Sequence, residues 1–216
     1  MRTLRLLATL VYSASLAAQT VIPVGQFRSV ELRNGCTAIV RHGPAQRVTI
    51  LAGSLGSPGV RIMDGERLVI DDCSRGCQIE IVTPSLSAVS VANGGTLQTL
   101  GVFPAQAAIR AEVEQGGTID IRSMAPAAVD ASVHSGGRIF TNPRETLTGT
   151  VTSGGGITYW GAVRVKQFVR GGGAVAKGAL ADAGKPLAEL SPGLDAIPPV
   201  PPLPPIPPVA PLQRDR

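Results

Sequence analysis

Short runs in which apolar and polar residues alternate recur along the middle of the chain. Clear examples are residues 48–50 (VTI), 79–81 (IEI), 119–121 (IDI) and 163–165 (VRV). Alternation with a period of two is typical of a β-strand with one buried face, because successive side chains point to opposite sides of the sheet. Residues 68–70 (LVI) are apolar throughout and are expected to be buried on both faces. The pattern therefore predicts an all-β protein.

A glycine-containing pattern repeats between these runs at nearly constant intervals. It consists of an apolar residue, two others, a Gly-Gly pair, one residue and a second apolar residue. Its copies begin at Val91, Val113, Val133, Val151 and Val169. The first glycines of the pairs follow one another in steps of 22, 20, 18 and 18 residues, and Gly35 and Gly76 mark two degenerate copies. Self-similarity at a fixed period of this length indicates a repeat architecture.

The period predicts a parallel β-helix of about seven rungs over residues 27–178. A rung of about 20 residues accommodates three short strands and three corners, and rungs stacked about 4.8 Å apart close a common core. Each glycine pair would mark the same corner, where a positive φ or a close backbone approach excludes a side chain. An antiparallel sandwich with glycine-rich hairpins is the alternative.

Composition agrees with thin, stacked β-structure. Apolar residues make up 44% of the 216 residues, which is enough for a sizeable core, but aromatic residues make up only 3%. The chain contains 26 glycines and 18 prolines. Few rings and many glycines argue against a catalytic α/β domain or a helix bundle, because the cores of those folds need bulkier filling.

The first eighteen residues predict a secretory signal peptide. A basic start with Arg2 and Arg5 precedes an apolar run over residues 6–16, and small residues then indicate cleavage near Ala17 or Ala18. A buried N-terminal strand is the alternative. Cleavage would lower the formal net charge from +5 to about +3, which is too weak and scattered for nucleic-acid binding. We expect a secreted or periplasmic protein with no transmembrane span in the mature chain.

The C-terminal segment, residues 181–216, predicts a disordered proline-rich tail. It contains eleven of the eighteen prolines, and proline neither continues an α-helix nor donates to a sheet. Such a segment favours a polyproline II conformation. It would act either as a spacer or as a ligand for an aromatic groove of a partner.

Two segments and the glycine repeat carry a family resemblance. Residues 27–32 (FRSVEL), residues 81–86 (IVTPSL) and the repeated Gly-Gly-x-Ile resemble the family named "putative auto-transporter adhesin, head GIN domain". The resemblance covers residues 27–178. It implies a secreted or periplasmic bacterial domain with a right-handed β-helical fold, an adhesin-like character and no established chemistry.

The three cysteines predict a disulfide in an oxidising compartment. Cys73 and Cys77 would close a small loop, which leaves Cys36 as a buried or reactive odd thiol. Cys36 and Cys77 would lie two rungs apart, at about 9–10 Å, which is beyond disulfide reach. A zinc site that also uses His42 and His134 is the alternative, and no metal or cofactor is predicted.

Several outward positions of the repeat predict a candidate binding surface. Its residues are Asp120, Arg122, Arg138, Tyr159 and Trp160. Rings beside charged groups can stack on a sugar or anchor a partner protein. Two other interpretations are a surface ion pair of Asp120 with Arg122, and a Trp160 that caps the core.

These observations predict a non-enzymatic, secreted or periplasmic β-solenoid that serves as a cell-envelope binding, adhesion or structural module. An envelope glycan or protein is the expected partner, and no catalytic residue is assigned. The alternatives are a polysaccharide-active β-helix enzyme, which would use Asp120 with Arg122 and Arg138, and a self-assembling scaffold that stacks through its strand edges.

Overall fold

The computed structural model describes residues 19–56 and 59–190. The predicted signal peptide and the predicted tail beyond residue 190 lie outside the described residues. The first ten residues of the predicted tail, 181–190, are described and are ordered, contrary to the expectation of disorder. Strands make up 55% of the described residues and helices 6%, so the prediction of an all-β protein is confirmed. Within the described part of the chain, none of the helices has the length and apolar character needed to cross a membrane.

Seventeen strands are assigned in the described ranges. They are β1 (Thr20–Ile22), β2 (Ser29–Arg33), β3 (Thr37–His42), β4 (Arg47–Leu55), β5 (Val60–Met63), β6 (Arg67–Ile70), β7 (Cys73–Thr83), β8 (Ala88–Ala92), β9 (Thr96–Leu100), β10 (Ala108–Glu114), β11 (Thr118–Asp120), β12 (Ala128–His134), β13 (Arg138–Thr141), β14 (Thr146–Thr152), β15 (Gly156–Tyr159), β16 (Arg164–Arg170) and β17 (Ala174–Lys177). Short 3₁₀ turns cover Arg122–Met124 and Leu180–Asp182, and helix α1 covers Leu187–Leu190. The chain divides into two compact units between Ala183 and Gly184, and every strand belongs to the first unit.

The strands form two sheets. One has the order β1-β4-β7-β3-β9-β11-β13-β15-β17, and the other has the order β16-β14-β12-β10-β8-β2-β6-β5. From β8 onward the chain alternates between the sheets, and each strand pairs in parallel with the strand two positions further along. Each copy of the glycine repeat therefore contributes one strand to each sheet.

The expected continuous parallel β-helix over residues 27–178 does not describe these sheets, which are mixed. Strand β4 pairs antiparallel with both β1 and β7, and β5 pairs antiparallel with β6. The chain reverses between β5 and β6 at Asp64-Gly65, where both residues have a positive φ, as tight hairpin turns require. The expected three strands per rung are also wrong, because each copy contributes two strands, and the connection between them, such as residues 121–127 between β11 and β12, contains none.

The core lies between the two sheets and is built from equivalent positions of the repeat. One column comes from the eight-stranded sheet and consists of Val91, Val113, Val133 and Val151, each 0% exposed. The facing column comes from the nine-stranded sheet and consists of Leu97, Ile119, Ile139 and Ile157. Burial of each such side chain contributes about 1.5–3 kcal/mol, so stacking of the copies is the main source of stability.

The two positions of each corner require glycine for different physical reasons. Gly116 and Gly117 both have a positive φ, of 86° and 101°. A Cβ on Gly116 would meet nothing within 4 Å, whereas a Cβ on Gly117 would lie 2.7 Å from Val91 Cγ1 and 3.0 Å from Gly95 O. The first glycine is therefore favoured by backbone conformation alone, and the second also by close approach to the preceding copy.

This difference predicts that Gly117→Ala destabilises the protein more than Gly116→Ala. We expect Gly116→Ala to lower the free energy of unfolding by about 1–2 kcal/mol, the cost of a left-handed conformation. Gly117→Ala should lower the free energy of unfolding by roughly a further 1–3 kcal/mol, because the added methyl group overpacks the corner. Urea unfolding of both variants measures the difference, and equal losses would show that the close approach does not matter.

Candidate functional site

Asp120 and Arg122 form a buried ion pair at the end of β11. Arg122 Nε donates to Asp120 Oδ1 at 2.9 Å and Arg122 Nη2 donates to Oδ2 at 2.7 Å, while the backbone N–H of Arg122 also donates to Oδ1 at 3.1 Å. Asp120 is only 2% exposed. Both carboxylate oxygens are therefore held in a bidentate, charge-assisted arrangement, which is the strong form of this pair.

Two aromatic rings enclose the guanidinium group of Arg122. Its Cζ atom lies 5.3 Å from the ring centroid of Trp160 and 5.9 Å from that of Phe140. Phe140 pairs with Asp120 across β11 and β13, so the register of the nine-stranded sheet brings the ring beside the ion pair. These distances are within the range of cation–π attraction, which adds to the hydrogen bonds.

The same cluster binds the chain segment that follows β17. Arg122 Nη1 donates to the carbonyl oxygens of Asp182 and Ala183 at 3.3 and 3.1 Å, and Trp160 Nε1 donates to Ala179 O at 2.9 Å. A Cβ on Gly178 would overlap the Trp160 ring. The cluster therefore fixes the segment over the outer face of the sheet.

The structure brings together only some of the residues that the sequence assigned to a binding surface. Asp120, Arg122 and Trp160 are in contact, but Trp160 is 3% exposed, so its ring is buried in this structure and is not open for stacking on a ligand. The reason is the overlying segment that starts at Ala179, which strand alternation does not reveal. Tyr159 is half-buried against the core, and Arg138 is exposed at the start of β13. A binding role for these five residues stays a prediction.

The three cysteines lie next to one another. Strands β3 and β7 are parallel neighbours with Thr37 opposite Gln78, so Cys36 lies beside Cys77. The expected separation of two rungs is wrong because residues 43–72 do not form a rung between these strands. Cys73 Sγ contacts the sulfurs of both Cys36 and Cys77, with Cα separations of 5.1 and 5.4 Å. Both separations fall in the disulfide range, so the predicted Cys73–Cys77 bond is one of two possible pairings.

A hydrogen-bonded carboxylate fixes the chain just before Cys73. Asp71 Oδ1 accepts bonds from Asn34 Nδ2 at 2.7 Å and from the backbone N–H of Asp72 at 2.8 Å, and Oδ2 accepts one from Arg61 Nη2 at 3.3 Å. Burial raises the pKa of Asp71, but these hydrogen bonds and the charge of Arg61 outweigh it, and the pKa lies below its usual value.

A half-exposed histidine on the outer face of the eight-stranded sheet resembles part of a catalytic triad. His134 Nδ1 lies 2.8 Å from Thr152 Oγ1, and Nε2 lies 3.8 Å from Glu112 Oε1. If Thr152 acted as the nucleophile and His134 as its base, backbone N–H donors would also be needed to stabilise the oxyanion that forms. The strands that carry His134 and Thr152 are paired with neighbours on both sides, so their ladder bonds occupy those donors. This arrangement does not support hydrolysis.

An open cavity of about 590 Å³ lies among the loops near Phe27. Its most prominent polar side chain, Gln46, accepts a hydrogen bond from the backbone N–H of Phe27 at 3.0 Å and donates one to Thr83 Oγ1 at 3.1 Å. Arg28 and Glu66 face each other there at 3.9 Å and are mostly exposed. The amide of Gln46 thus holds loops together, and the cavity offers no converging reactive groups.

Strand β16 is an edge strand of the eight-stranded sheet within the described residues. All seven of its residues are exposed. Val165 and Val169 are 37% and 42% exposed, although their parallel neighbours in β14, Leu147 and Val151, are fully buried. The apolar column of the core thus continues to the edge strand. The sequence signal for this feature is that Val169 begins the last copy of the repeat.

The outward side of β16 is basic. Arg164, Lys166 and Arg170 alternate along the strand with residues of the core column, and β16 contains no acidic residue. Phe168 is 54% exposed, and the guanidinium Cζ of Arg170 lies 5.7 Å from its ring centroid. This edge therefore combines uncovered apolar side chains, cationic groups and the free side of a strand.

Comparisons with known proteins give distant structural likeness only. No protein-family model matches the sequence, and a comparison with curated proteins finds no match. A solved "putative adhesin" from Bacteroides fragilis NCTC 9343 is 16% identical with a TM-score of 0.40, and the match covers 74% of this chain and 96% of that one. A "putative adhesin" from Parabacteroides merdae ATCC 43184 is 14% identical with a TM-score of 0.34, covering 75% and 96%. A "putative lipid binding protein" from Parabacteroides distasonis ATCC 8503 is 8% identical with a TM-score of 0.29, covering 75% and 96%.

The buried ion pair predicts a large stability loss in Arg122→Met. This change keeps much of the side-chain bulk but leaves the Asp120 carboxylate buried without its partner, which should cost about 3–5 kcal/mol. Arg110→Met is the matched control, because Arg110 and Asp130 form an exposed pair at 3.6 Å. The control should lose less than about 1 kcal/mol. Similar losses in urea unfolding of the two variants would contradict a special role for the cluster.

The low pKa of Asp71 predicts a pH-dependent contribution to stability. Because the folded pKa lies below the value of about 3.9 in an unfolded chain, Asp71 stabilises the fold above about pH 4. The contribution is lost as the pH falls through the lowered pKa. The free energy of unfolding of Asp71→Asn should therefore be lower than that of the parent protein at pH 6, and the two values should approach each other near pH 2. Parallel curves of unfolding free energy against pH would contradict this assignment.

Proposed function

We propose that this protein is a non-enzymatic, secreted or periplasmic binding module of the cell envelope, and that β16 adds an extended segment of a partner protein to the eight-stranded sheet. The observation that carries the proposal is the exposure of all seven residues of this edge strand, including three large apolar ones. The signal peptide, the head GIN-like domain over residues 27–178 and the proline-rich tail are part of the proposal.

Strand addition fits the backbone and the side chains of this edge. An edge strand presents unpaired N–H and C=O groups, which an extended peptide can satisfy by continuing the ladder. Val165 and Val169 lie on the core side, where they continue the columns of Leu147 and Val151. A partner strand with apolar residues at every second position would cover both valines and extend the core by one strand.

Charge favours an acidic partner over a second copy of this chain. Lys166 lies between Arg164 and Arg170 on the outward face, so acidic side chains opposite them would form cross-strand pairs. Two copies of β16 paired antiparallel about Gln167 would instead place Arg164 of each copy against Arg170 of the other, and like charges directly opposite each other are destabilising. The self-assembling scaffold is therefore the less favoured alternative.

The other alternative, a polysaccharide-active enzyme, relied on Asp120 as a catalytic carboxylate. Both oxygens of Asp120 accept bonds from Arg122, and the carboxylate lies beneath the segment that starts at Ala179. A general base or acid has to reach the substrate within hydrogen-bond distance. Asp120 is thus better explained as a structural group, which supports a binding function.

The test is the binding of short peptides to the full chain. A capped nine-residue peptide of alternating valine and glutamate should bind at low salt, and a peptide of alternating valine and lysine should not. Lys166→Glu should weaken the binding of the acidic peptide about tenfold, because one attractive charge is replaced by a repulsive one. Lys177→Glu, the same change on the edge strand of the other sheet, should leave binding unchanged. Fluorescence anisotropy measures the affinities.

Hydrogen exchange distinguishes strand addition from general attraction to polyanions. The bound acidic peptide should slow amide exchange within residues 164–170, because the added strand pairs with the free side of β16. Equal binding of both peptides, or binding without amide protection, would contradict the proposal. An acidic polysaccharide that binds as tightly without protection would indicate a glycan surface, and concentration-dependent oligomers would indicate a scaffold.

A further inference from the structure

The cysteine cluster has one more sulfur than a disulfide can use. The sulfur atoms of Cys36, Cys73 and Cys77 all lie within 4.8 Å of one another. Cys73 contacts both of the others but can form only one disulfide, so either pairing leaves a third sulfur at the same place. An arrangement in which all three sulfurs are used at once requires a shared ligand.

The strands hold the three cysteines side by side before any ligand binds. Cys36 directly precedes β3, and Cys77 lies in β7 beside it in the parallel ladder. Cys73, at the start of β7, pairs with Leu55 of the antiparallel strand β4. The same strand passes so close to β7 that a Cβ on Gly53 would lie 2.6 Å from Cys77 Cα. Strands that are fixed on both sides therefore define the geometry of the cluster.

We propose that Cys36, Cys73 and Cys77 bind one Cu(I) ion as three thiolates. Metal–sulfur bonds of about 2.3 Å in a trigonal plane separate the sulfurs by about 4 Å. The three sulfurs lie within 4.8 Å of one another and are in contact at Cys73, so they have to move apart to bind an ion, and the Cα separations of 5.1 and 5.4 Å leave room for that side-chain rotation. Thiolates are soft ligands that select Cu(I), whereas a structural zinc site takes four ligands. In the described ranges, no histidine or carboxylate joins the three cysteines as a fourth ligand.

Burial gives the site one open side. Cys36 and Cys77 are 0% and 1% exposed, and both belong to the core, whereas Cys73 is half-buried. An ion can therefore reach the cluster past Cys73, and water on that side solvates the negative charge of the three thiolates. Binding to the reduced cysteines releases their thiol protons to solvent and changes the oxidation state of neither sulfur nor copper, whereas a disulfide in the cluster first has to be reduced by a thiol reductant.

The test is an anaerobic titration of the reduced full chain with Cu(I) in competition with the chelator bicinchoninate. We expect thiolate-to-copper absorption to rise linearly to one ion per chain. Each of Cys36→Ser, Cys73→Ser and Cys77→Ser should weaken the affinity about 100-fold, because a trigonal ion loses one of its three ligands. Met63→Leu, which removes a soft sulfur ligand elsewhere, should leave the affinity unchanged.

Two controls keep the proposal open to contradiction. Circular dichroism checks that each variant is folded. Cys73 is half-buried, so Cys73→Ser is the variant expected to disturb the fold least. Unchanged affinity in Cys36→Ser would overturn the three-thiolate site, as would stoichiometric binding that survives all three changes. Protein recovered from copper-supplemented cells should yield three alkylatable thiols after the metal is removed. A single alkylatable thiol would show a disulfide and overturn the proposal, without bearing on peptide binding at β16.

Discussion

Successive copies of the repeat approach so closely at the second glycine of each corner that no side chain fits there. A Cβ on Gly117, Gly137, Gly155 or Gly173 would lie 2.6–3.0 Å from the carbonyl oxygen of the equivalent glycine one copy earlier. Because the corner is fixed, the strands before and after it are held in register in both sheets at once. The valine and isoleucine columns of the core follow from this register, since a slip of one residue would turn every apolar side chain outward.

The sequence predicted the parts of the fold that repeat. Period-two alternation identified strand positions such as Ile79 and Ile81, and the glycine spacing identified equivalent corners, because each depends on a local backbone constraint. It did not predict the mixed sheets around β4–β7. Counting periods from Gly35 to Gly76 assumed that the intervening residues form rungs, although Asp64-Gly65 is a hairpin signal that reverses the chain. The adjacency of Cys36 and Cys77 was missed for the same reason.

The candidate binding surface shows a different limit of sequence reasoning. Alternation along the repeat placed Asp120, Arg122 and Trp160 on the outer side of one sheet, and they do lie together there. Alternation says which way a side chain points but not what covers it. The covering segment is held by hydrogen bonds from Arg122 and Trp160 to backbone carbonyl groups, which carry no sequence signature. Residues that look like a ligand platform are thus part of the internal packing.

A stack of parallel strands has to end, and the two ends of this repeat differ. Towards the N-terminus, antiparallel strands continue both sheets, and the reversal that creates them places Cys36, Cys73 and Cys77 side by side. Towards the C-terminus, the described sheets end at β16 and β17, and β16 leaves two core positions exposed. Inside the repeat, backbone groups are paired and apolar side chains are covered, so little free binding capacity remains there. The chemistry open to this protein is accordingly concentrated where the repetition is interrupted.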